Sequence, residues 1–302
     1  MCYNEYGDIM KDILKISFLL VLLVFVYIYR NDIATFITDE VLYKGDNKVL
    51  TYNKYYLENN YLYVQNTDSN KAKSYQDILN IIYTTINSGD ECFSFYCDYD
   101  NCMNDIRKIR DDKNIITNIN NFVHPYNSFF SINVDINTNG KITLKIKKLY
   151  KDEEIEFVNN YIETFISSNI NLSMSNYDKI KIFHDHLINS TIYDENETFE
   201  TYTAYNLITS GLSICGGYSD IMAIYLNAIG IKNYRITSSN HIWNLVEIDG
   251  VWYHLDVTWD DPIASDGKQY LIHNFFMIPT TKLFELDKIE HNFDNKTYIE
   301  AN

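Results

Sequence analysis

The dipeptide Asp249-Gly250 lies between two alternating runs, 241–248 (HIWNLVEI) and 251–258 (VWYHLDVT). Asp-Gly in this setting is the strongest short-range hairpin signal, because both central residues of a type I′ turn need positive φ. A two-residue turn also fixes the register. Ile248 then faces Val251, Trp243 faces Asp256 and His241 faces Thr258. Alternate side chains point to opposite faces of a sheet. One face carries Ile242, Asn244, Val246, Val251, Tyr253, Leu255 and Val257, is largely apolar, and belongs in a core. The other carries His241, Trp243, His254 and Asp256. His241 and Asp256 are diagonal neighbours on that face, about 7–8 Å apart at the backbone, a gap that an imidazole and a carboxylate close with a hydrogen bond. The spacing therefore predicts a base held by an acid, which lacks only a nucleophile.

Cys215 is the candidate nucleophile. It follows the loop Gly211–Ile214 and opens a predicted helix, 215–229, stopped by Gly230. Helix N-termini present partial positive charge and unsatisfied N–H groups. Both favour a thiolate, and the same N–H groups can hold an oxyanion. Gly216 and Gly217 would let a substrate backbone come close. A lone cysteine at a helix start is more often an inert capping residue. A His–Asp pair on a neighbouring hairpin reverses that balance.

The rest of the chain is read by periodicity. Residues 74–89 have helical spacing and end at Gly89, 92–98 read as a strand, and 101–120 read as one helix. Runs 129–136 and 141–148 alternate around Asn139-Gly140, a second hairpin. Helices are predicted over 152–169, 175–189 and 202–210, and strands over 233–238, 241–248 and 251–258. Helices followed by antiparallel strands make an α+β fold. The expected division is an N-terminal anchor (1–30), a stalk or linker (31–73), a small α/β domain (74–150) and a catalytic domain (151–302).

The anchor rests on Ile16–Tyr29, ISFLLVLLVFVYIY, which contains no charge. Extended back to Ile13, it admits only Lys15 and reaches about 17 residues, at the lower length limit for a membrane span. No small-residue cleavage site follows it, so an uncleaved transmembrane helix is expected, with the large domain outside the cytoplasm. The net charge of −16 repels phosphate backbones and argues against nucleic acid as a partner. Five cysteines with Cys92, Cys97 and Cys102 spaced five apart match neither a zinc pattern nor a disulfide framework. A bridge from Cys92 to Cys97 or Cys102 is conceivable outside the cell, and free thiols are the expected state. His184-Asp185-His186 invites a metal reading, but helical positions two apart face different ways. Asp260, Asp261 and Asp266 lack the spacing of a calcium loop. No metal and no cofactor are expected.

The segments SGLSICGGYSDIMAIYLNAIGI, SSNHIWNLVEIDG and VWYHLDVTWDDP together resemble the transglutaminase-like superfamily, a papain-like group of cysteine peptidases and acyltransferases. Its bacterial branch shows a Cys-x-Gly-Tyr helix start, a His-x-Trp-Asn strand and an Asp-Val-Thr-Trp-Asp-Asp-Pro strand end, in this order. Upstream, FHDHLINSTIYDE resembles the helix before the site. The resemblance spans roughly 151–280 and, more loosely, 74–150. It implies a Cys215–His241–Asp256 triad, with Trp243 and Asn244 beside the histidine, and Tyr202 near an oxyanion hole with Gly216. Gly216, Ser219 and Ile242 depart from residues common in that branch, and Ile242 adds bulk beside the base. The implied activity is cysteine-dependent acyl transfer on protein or peptide substrates, with hydrolysis favoured. Cross-linking by a transglutaminase reaction and a non-catalytic binding module remain open, and the sequence leaves the oligomeric state undefined.

Overall fold

The computed structural model describes residues 3–30, 33, 50–137, 140–196, 202–262 and 270–302. Two compact units emerge, Met1–Val49 and Leu50–Asn302. The first contains helix α1 (Tyr3–Ile28). Its large apolar side chains from Ile13 onward are exposed, Phe18 and Tyr27 at 70%. Among the described residues no helix is long and apolar enough to cross a membrane. The expected spanning anchor therefore has no support in the structure. Length gives the physical reason: the uncharged run from Ile16 to Tyr29 is roughly 20 Å long as a helix, against a hydrocarbon core of about 30 Å.

The second unit holds the remaining elements on two apolar clusters. Expected boundaries at 74 and 151 do not separate cores here, because Leu50–Asn302 is one compact unit. Most of the stretch from 31 to 49 lies outside the described residues. From Leu50 onward the chain is packed rather than extended as a stalk: Leu50, Tyr61, Val64 and Ala72 are all buried in the first cluster.

A four-stranded sheet comes first, made of β1 (Lys71–Ala72), β2 (Cys92–Cys97), β3 (Phe129–Ile136) and β4 (Lys141–Lys148), in the order β1-β2-β4-β3. The hairpin β3–β4 occupies the residues its alternation predicts, with Ile136 facing Ile142 and Gly140 at φ 81°. Asn139 of its turn lies outside the described residues. Helix α2 (Tyr75–Ser88) starts on Ser74, whose side chain accepts the Asp77 N–H, and ends at Gly89 in the left-handed region. The predicted helix 101–120 is instead two, α3 (Cys102–Asp111) and α4 (Lys113–Asn120). Asp112 breaks it, because its extended backbone lets its own side chain cap α4 at Asn114 N. Cys97 and Cys102 form a disulfide between the end of β2 and the start of α3, with Cα atoms 5.7 Å apart. This corrects the expectation of free thiols at both; Cys92 lies outside this bridge and is exposed.

The remaining helices are α5 (Asp152–Asn169), α6 (Asn176–Ser190), α7 (Ala204–Ser210) and α8 (Cys215–Ala228). Short strands β5 (Ile192–Tyr193) and β6 (Leu212–Ser213) pair in parallel and deliver the chain to α8. The second sheet is antiparallel, β7 (Asn233–Thr237), β8 (Ile242–Ile248) and β9 (Val251–Leu255), in sequence order. Asp249 has φ 52° and Gly250 φ 81°, as a type I′ turn requires. Ile248 faces Val251 and Asn244 faces Leu255. The strand ends at Leu255, earlier than position 258, and Asp256 begins a turn. A last helix, α9 (Thr280–Leu286), has no counterpart among the helices expected from periodicity.

This second sheet is buried on both faces. Val246, Leu255 and Val257 join α5, α6 and α8 in one cluster. Trp243, Leu245, Tyr234 and Ile236 join α2 to α4 and the first sheet in the other. Helix α8 sits against the first of these faces and buries Gly216 through Leu226 without interruption. A helix apolar all round is a central helix, which explains why its sequence shows no polar stripe.

One polar tie crosses these layers. Arg235 on β7 is paired with Asp220 on α8, and its Nη2 donates to Asn120 O at 2.7 Å and Ser128 Oγ at 2.8 Å. The Tyr150 hydroxyl donates to the other Asp220 oxygen at 2.7 Å. Arg235 and Asp220 are both buried. Replacing one partner of a buried pair strands the other charge, at a cost of about 3–5 kcal/mol. Arg235→Met should lower unfolding free energy by about that much, measured by urea titration; a change under about 1 kcal/mol would mean that the tie contributes little.

Candidate active site

Three side chains meet at one end of the second sheet. Cys215 is the first residue of α8, preceded by Ile214 with extended backbone and no capping side chain. Residues 211–213 are pinned by β5, with Ile192 N–H donating to Gly211 O at 2.9 Å and Asp194 N–H to Ser213 O at 2.8 Å. Cys215 is partly exposed. His241 stands just before β8 and is 8% exposed. Its Nε2–H donates to Asp256 Oδ2 at 2.6 Å. That leaves Nδ1 for Cys215, with which the ring shares a hydrogen bond. The diagonal pairing read from the hairpin register brings the two β-residues together, and the helix start supplies the third.

Asp256 is 1% exposed and its surroundings are built of donors. Trp259 N–H donates to Oδ1 at 3.2 Å. The Asp256 backbone N–H donates to Phe275 O at 3.1 Å, where the returning chain also bridges His254 and Ile278. His291 Nε2–H donates to Oδ2 at 2.9 Å. Sequence reasoning does not single out His291. It lies 35 residues beyond Asp256 in a stretch without periodicity, and no motif marks it.

Burial opposes protonation of His241, but the Asp256 carboxylate and Cys215 outweigh it, and its pKa is raised to about 10. Burial likewise opposes ionisation of Asp256, yet His241 and His291 together hold its carboxyl well below the usual range. The pair is thus an imidazolium–carboxylate pair near neutrality.

The flanking residues divide by the alternation of β8. Trp243 stacks on His241, ring centres 5.4 Å apart and 13° from parallel. Its indole N–H donates to His254 Nδ1 at 3.0 Å, and His254 Nε2–H reaches Thr280 Oγ1 at 2.9 Å. Burial, then the charge of His291, lowers the His254 pKa to about 3, so this ring is neutral and its tautomer is set by the two contacts. Asn244 does not lie beside the histidine. It sits on the opposite face, where its Nδ2–H donates to Ser219 O at 2.9 Å and ties β8 to α8. Gly216 is not open to a substrate backbone either. A Cβ there would meet the Tyr202 ring at 2.6 Å, so the missing side chain makes room for Tyr202. Tyr202 lines the cleft with Cys215, and burial raises its hydroxyl pKa.

Two clefts flank the cysteine. Cys215, Asn240 and His241 line both. One, about 530 Å³, is walled by Asn118, Thr237, Ser238 and Tyr298. The other, about 590 Å³, is walled by Tyr193, Ile214, Trp259 and Pro262. His241 therefore lines both clefts, one walled mostly by polar side chains and one where Tyr193, Trp259 and Pro262 stand beside Asp261 and Glu290.

Among the described residues, two histidine–aspartate groups bring possible metal-ligand atoms within 4.8 Å. One is His241, Asp256 and His291, whose buried nitrogens both donate to one carboxylate oxygen. The other is His184, Asp185 and His273. There the Lys181 ammonium stands 2.6 Å from Asp185 Oδ2 and takes the position of a cation. His186 points elsewhere, to the Tyr161 hydroxyl at 2.6 Å. Asp260 accepts from His184 and from Phe275 N–H, and Asp261 accepts from the Tyr218 hydroxyl. Asp266 lies outside the described residues.

No curated protein matches the chain. Among solved structures, one described as the crystal structure of a TGase is 15% identical with a TM-score of 0.33, over 56% of this chain and 51% of its own. A "Putative Cysteine Protease" from Cytophaga hutchinsonii is 13% identical with a TM-score of 0.28, over 47% of this chain and 65% of its own. The chain thus spans about half to two thirds of the length of these neighbours. The family model described as Transglutaminase-like superfamily matches residues 164–257, a span that opens within α5 and closes just past Asp256, so the part of the chain that carries Cys215, His241 and Asp256 is similar to that family.

Proposed function

We propose that this protein carries out cysteine-dependent acyl transfer on peptide or glutamine amides, with hydrolysis as the main outcome. One observation supports the reading above the others: Cys215, open to two clefts, is hydrogen-bonded to a histidine whose far nitrogen is held by a buried carboxylate. A core that only needed to be filled would gain nothing from burying Asp256 there, since a lone buried carboxylate is costly.

The Cys215 thiolate attacks the carbonyl carbon of the amide, and the C=O π electrons move onto oxygen. First-turn N–H groups of α8 stabilise that oxyanion. As the tetrahedral species collapses, the C–N bond breaks and the His241 imidazolium gives its proton to the leaving amine. A thioester on Cys215 remains. Water, or a primary amine, then attacks it while neutral His241 takes the incoming proton, and the thiolate is released. Asp256 keeps Nδ1 of His241 aimed at sulfur throughout. Water needs no acceptor pocket, which favours hydrolysis over cross-linking. A protein that kept the fold only to bind would show neither step.

The partner is a protein or peptide chain long enough to lie in both clefts. The Cys97–Cys102 disulfide favours an oxidising compartment, in keeping with a domain held outside the cytoplasm.

At pH 7, iodoacetamide should modify Cys215 about tenfold faster than the exposed Cys92, a contrast expected of an activated thiolate. His241→Ala should remove the difference, and equal rates in the unmodified protein would sink the enzyme reading. Cleavage of a peptide library, or incorporation of a primary amine into glutamine peptides, should fall by about 10⁴-fold or more in Cys215→Ala. Which product mass appears separates hydrolysis from cross-linking.

Linkage gives a third expectation. His241 has its pKa raised on folding, from 6.5 to about 10, so its pairing stabilises fully below the unfolded value and is lost as pH rises toward 10. Asp256 is depressed, so its contribution is present above the ordinary carboxylate range and is lost only in acid. Asp256→Asn should therefore be most destabilising between about pH 5 and 6.5, and the gap to the parent should narrow toward pH 10. Denaturant titrations at three pH values test this; a gap that widens with pH contradicts it.

A further inference from the structure

We infer that His291 is a positioning residue for this site, holding one oxygen of the Asp256 carboxylate in place for His241; the inference rests on the functional reading above. His291 is fully buried, yet neither of its nitrogens is idle. Nε2 contacts Asp256 Oδ2 at 2.9 Å, the same oxygen that accepts from His241 at 2.6 Å. Nδ1 contacts Asp287 O at 3.2 Å, with Asp287 Oδ2 at 3.7 Å. A backbone carbonyl and a carboxylate only accept, so both ring nitrogens donate. The contact with Asp256 is one of the causes that keep its carboxyl ionised.

The ring is locked in an aromatic box. Phe275 stacks on it at 5.3 Å, 15° from parallel. Trp259 and Trp243 meet it edge-on, each at 4.9 Å. His241 stands at 80° to it, 5.3 Å away. A phenylalanine would fill such a box as well; the histidine adds two directed hydrogen bonds. With Trp259 N–H on Oδ1, Asp256 has three donors on two oxygens and cannot rotate to follow His241. The other ionisable groups acting on this cluster are His254, Asp260 and Cys215.

The test uses the full chain and reads Cys215 alkylation by iodoacetamide across pH, with Cys92 as internal reference. His291→Phe keeps the aromatic volume and removes both donors. It should slow Cys215 about tenfold or more, the size of one lost charge-assisted hydrogen bond, and move the acid limb of the profile to higher pH. His291→Gln restores an amide donor toward Asp256 and should recover most of the rate. If His291→Phe reacts like the parent with an unchanged profile, or if Gln and Phe are equally slow, the positioning role is refuted. Should His291→Phe fail to fold, or should parental Cys215 react no faster than Cys92, ¹⁵N-histidine spectra of the parent and of Asp256→Asn still decide. The His291 Nε2 resonance should shift on that substitution. An unshifted resonance overturns the inference, whereas equal parental rates of Cys215 and Cys92 count against the functional reading alone.

Discussion

A carboxylate at 1% exposure governs how this end of the molecule is built. Removing an ion from water costs several kcal/mol, roughly, unless hydrogen bonds and counter-charge replace the solvent. Asp256 draws its replacements from three directions: His241 at the edge of β8, the Trp259 turn just beyond β9, and His291 beyond α9. His241 and His291 are far apart in sequence. The chain after Asp256 must therefore return to the sheet, and it does so through Phe275, whose carbonyl accepts the Asp256 N–H. The C-terminal segment is fixed by the same need. Thr280 accepts both the His254 N–H and the Ala301 N–H, closing the last residues onto β9.

A second buried charge pair lies between α8 and β7. Arg235 and Asp220 bind the central helix to β7, and through Asn120 and Ser128 to the elements that precede the matched family span. Asn244 makes a shorter tie from β8 to Ser219. Between them these contacts fix α8 along its axis and around it. Rotation of that helix by a fraction of a turn would carry Cys215 away from His241. Interior packing tolerates little such movement, since close-packed side chains transmit displacement rather than absorb it. The residues ahead of 151 are thus part of what holds Cys215 in place, which a division into separate domains would not suggest.

The parts legible in the sequence are those set by local rules. Asp249-Gly250 dictates a turn, the turn dictates register, and the register makes His241 and Asp256 neighbours. Ser74, Ser175 and Gly89 mark helix ends through their own backbone and side-chain chemistry. What escaped is set by contacts distant in sequence. The break at Asp112 depends on a residue choosing between continuing one helix and capping another. Gly216 reads as a gap for substrate, but Tyr202 takes the space. Asn244 and Trp243 read as companions, but strand alternation sends them to opposite faces. His291 carries no local signal at all, because its role is defined by a carboxylate 35 residues earlier.

On the proposed function, the same geometry would govern the fate of the thioester. Sulfur lies between a trough side lined by Asn118, Thr237 and Ser238 and a side lined by Tyr193, Trp259 and Pro262. A departing amine and the group that replaces it must use one side, and the acyl chain the other. The polar side is easily hydrated, which on the proposed function would let water reach the thioester beside His241. An amine acceptor would have to displace that water and gain enough contact to offset its own desolvation. On the proposed function, hydrolysis is the expected outcome wherever an amine gains too little contact to offset that cost.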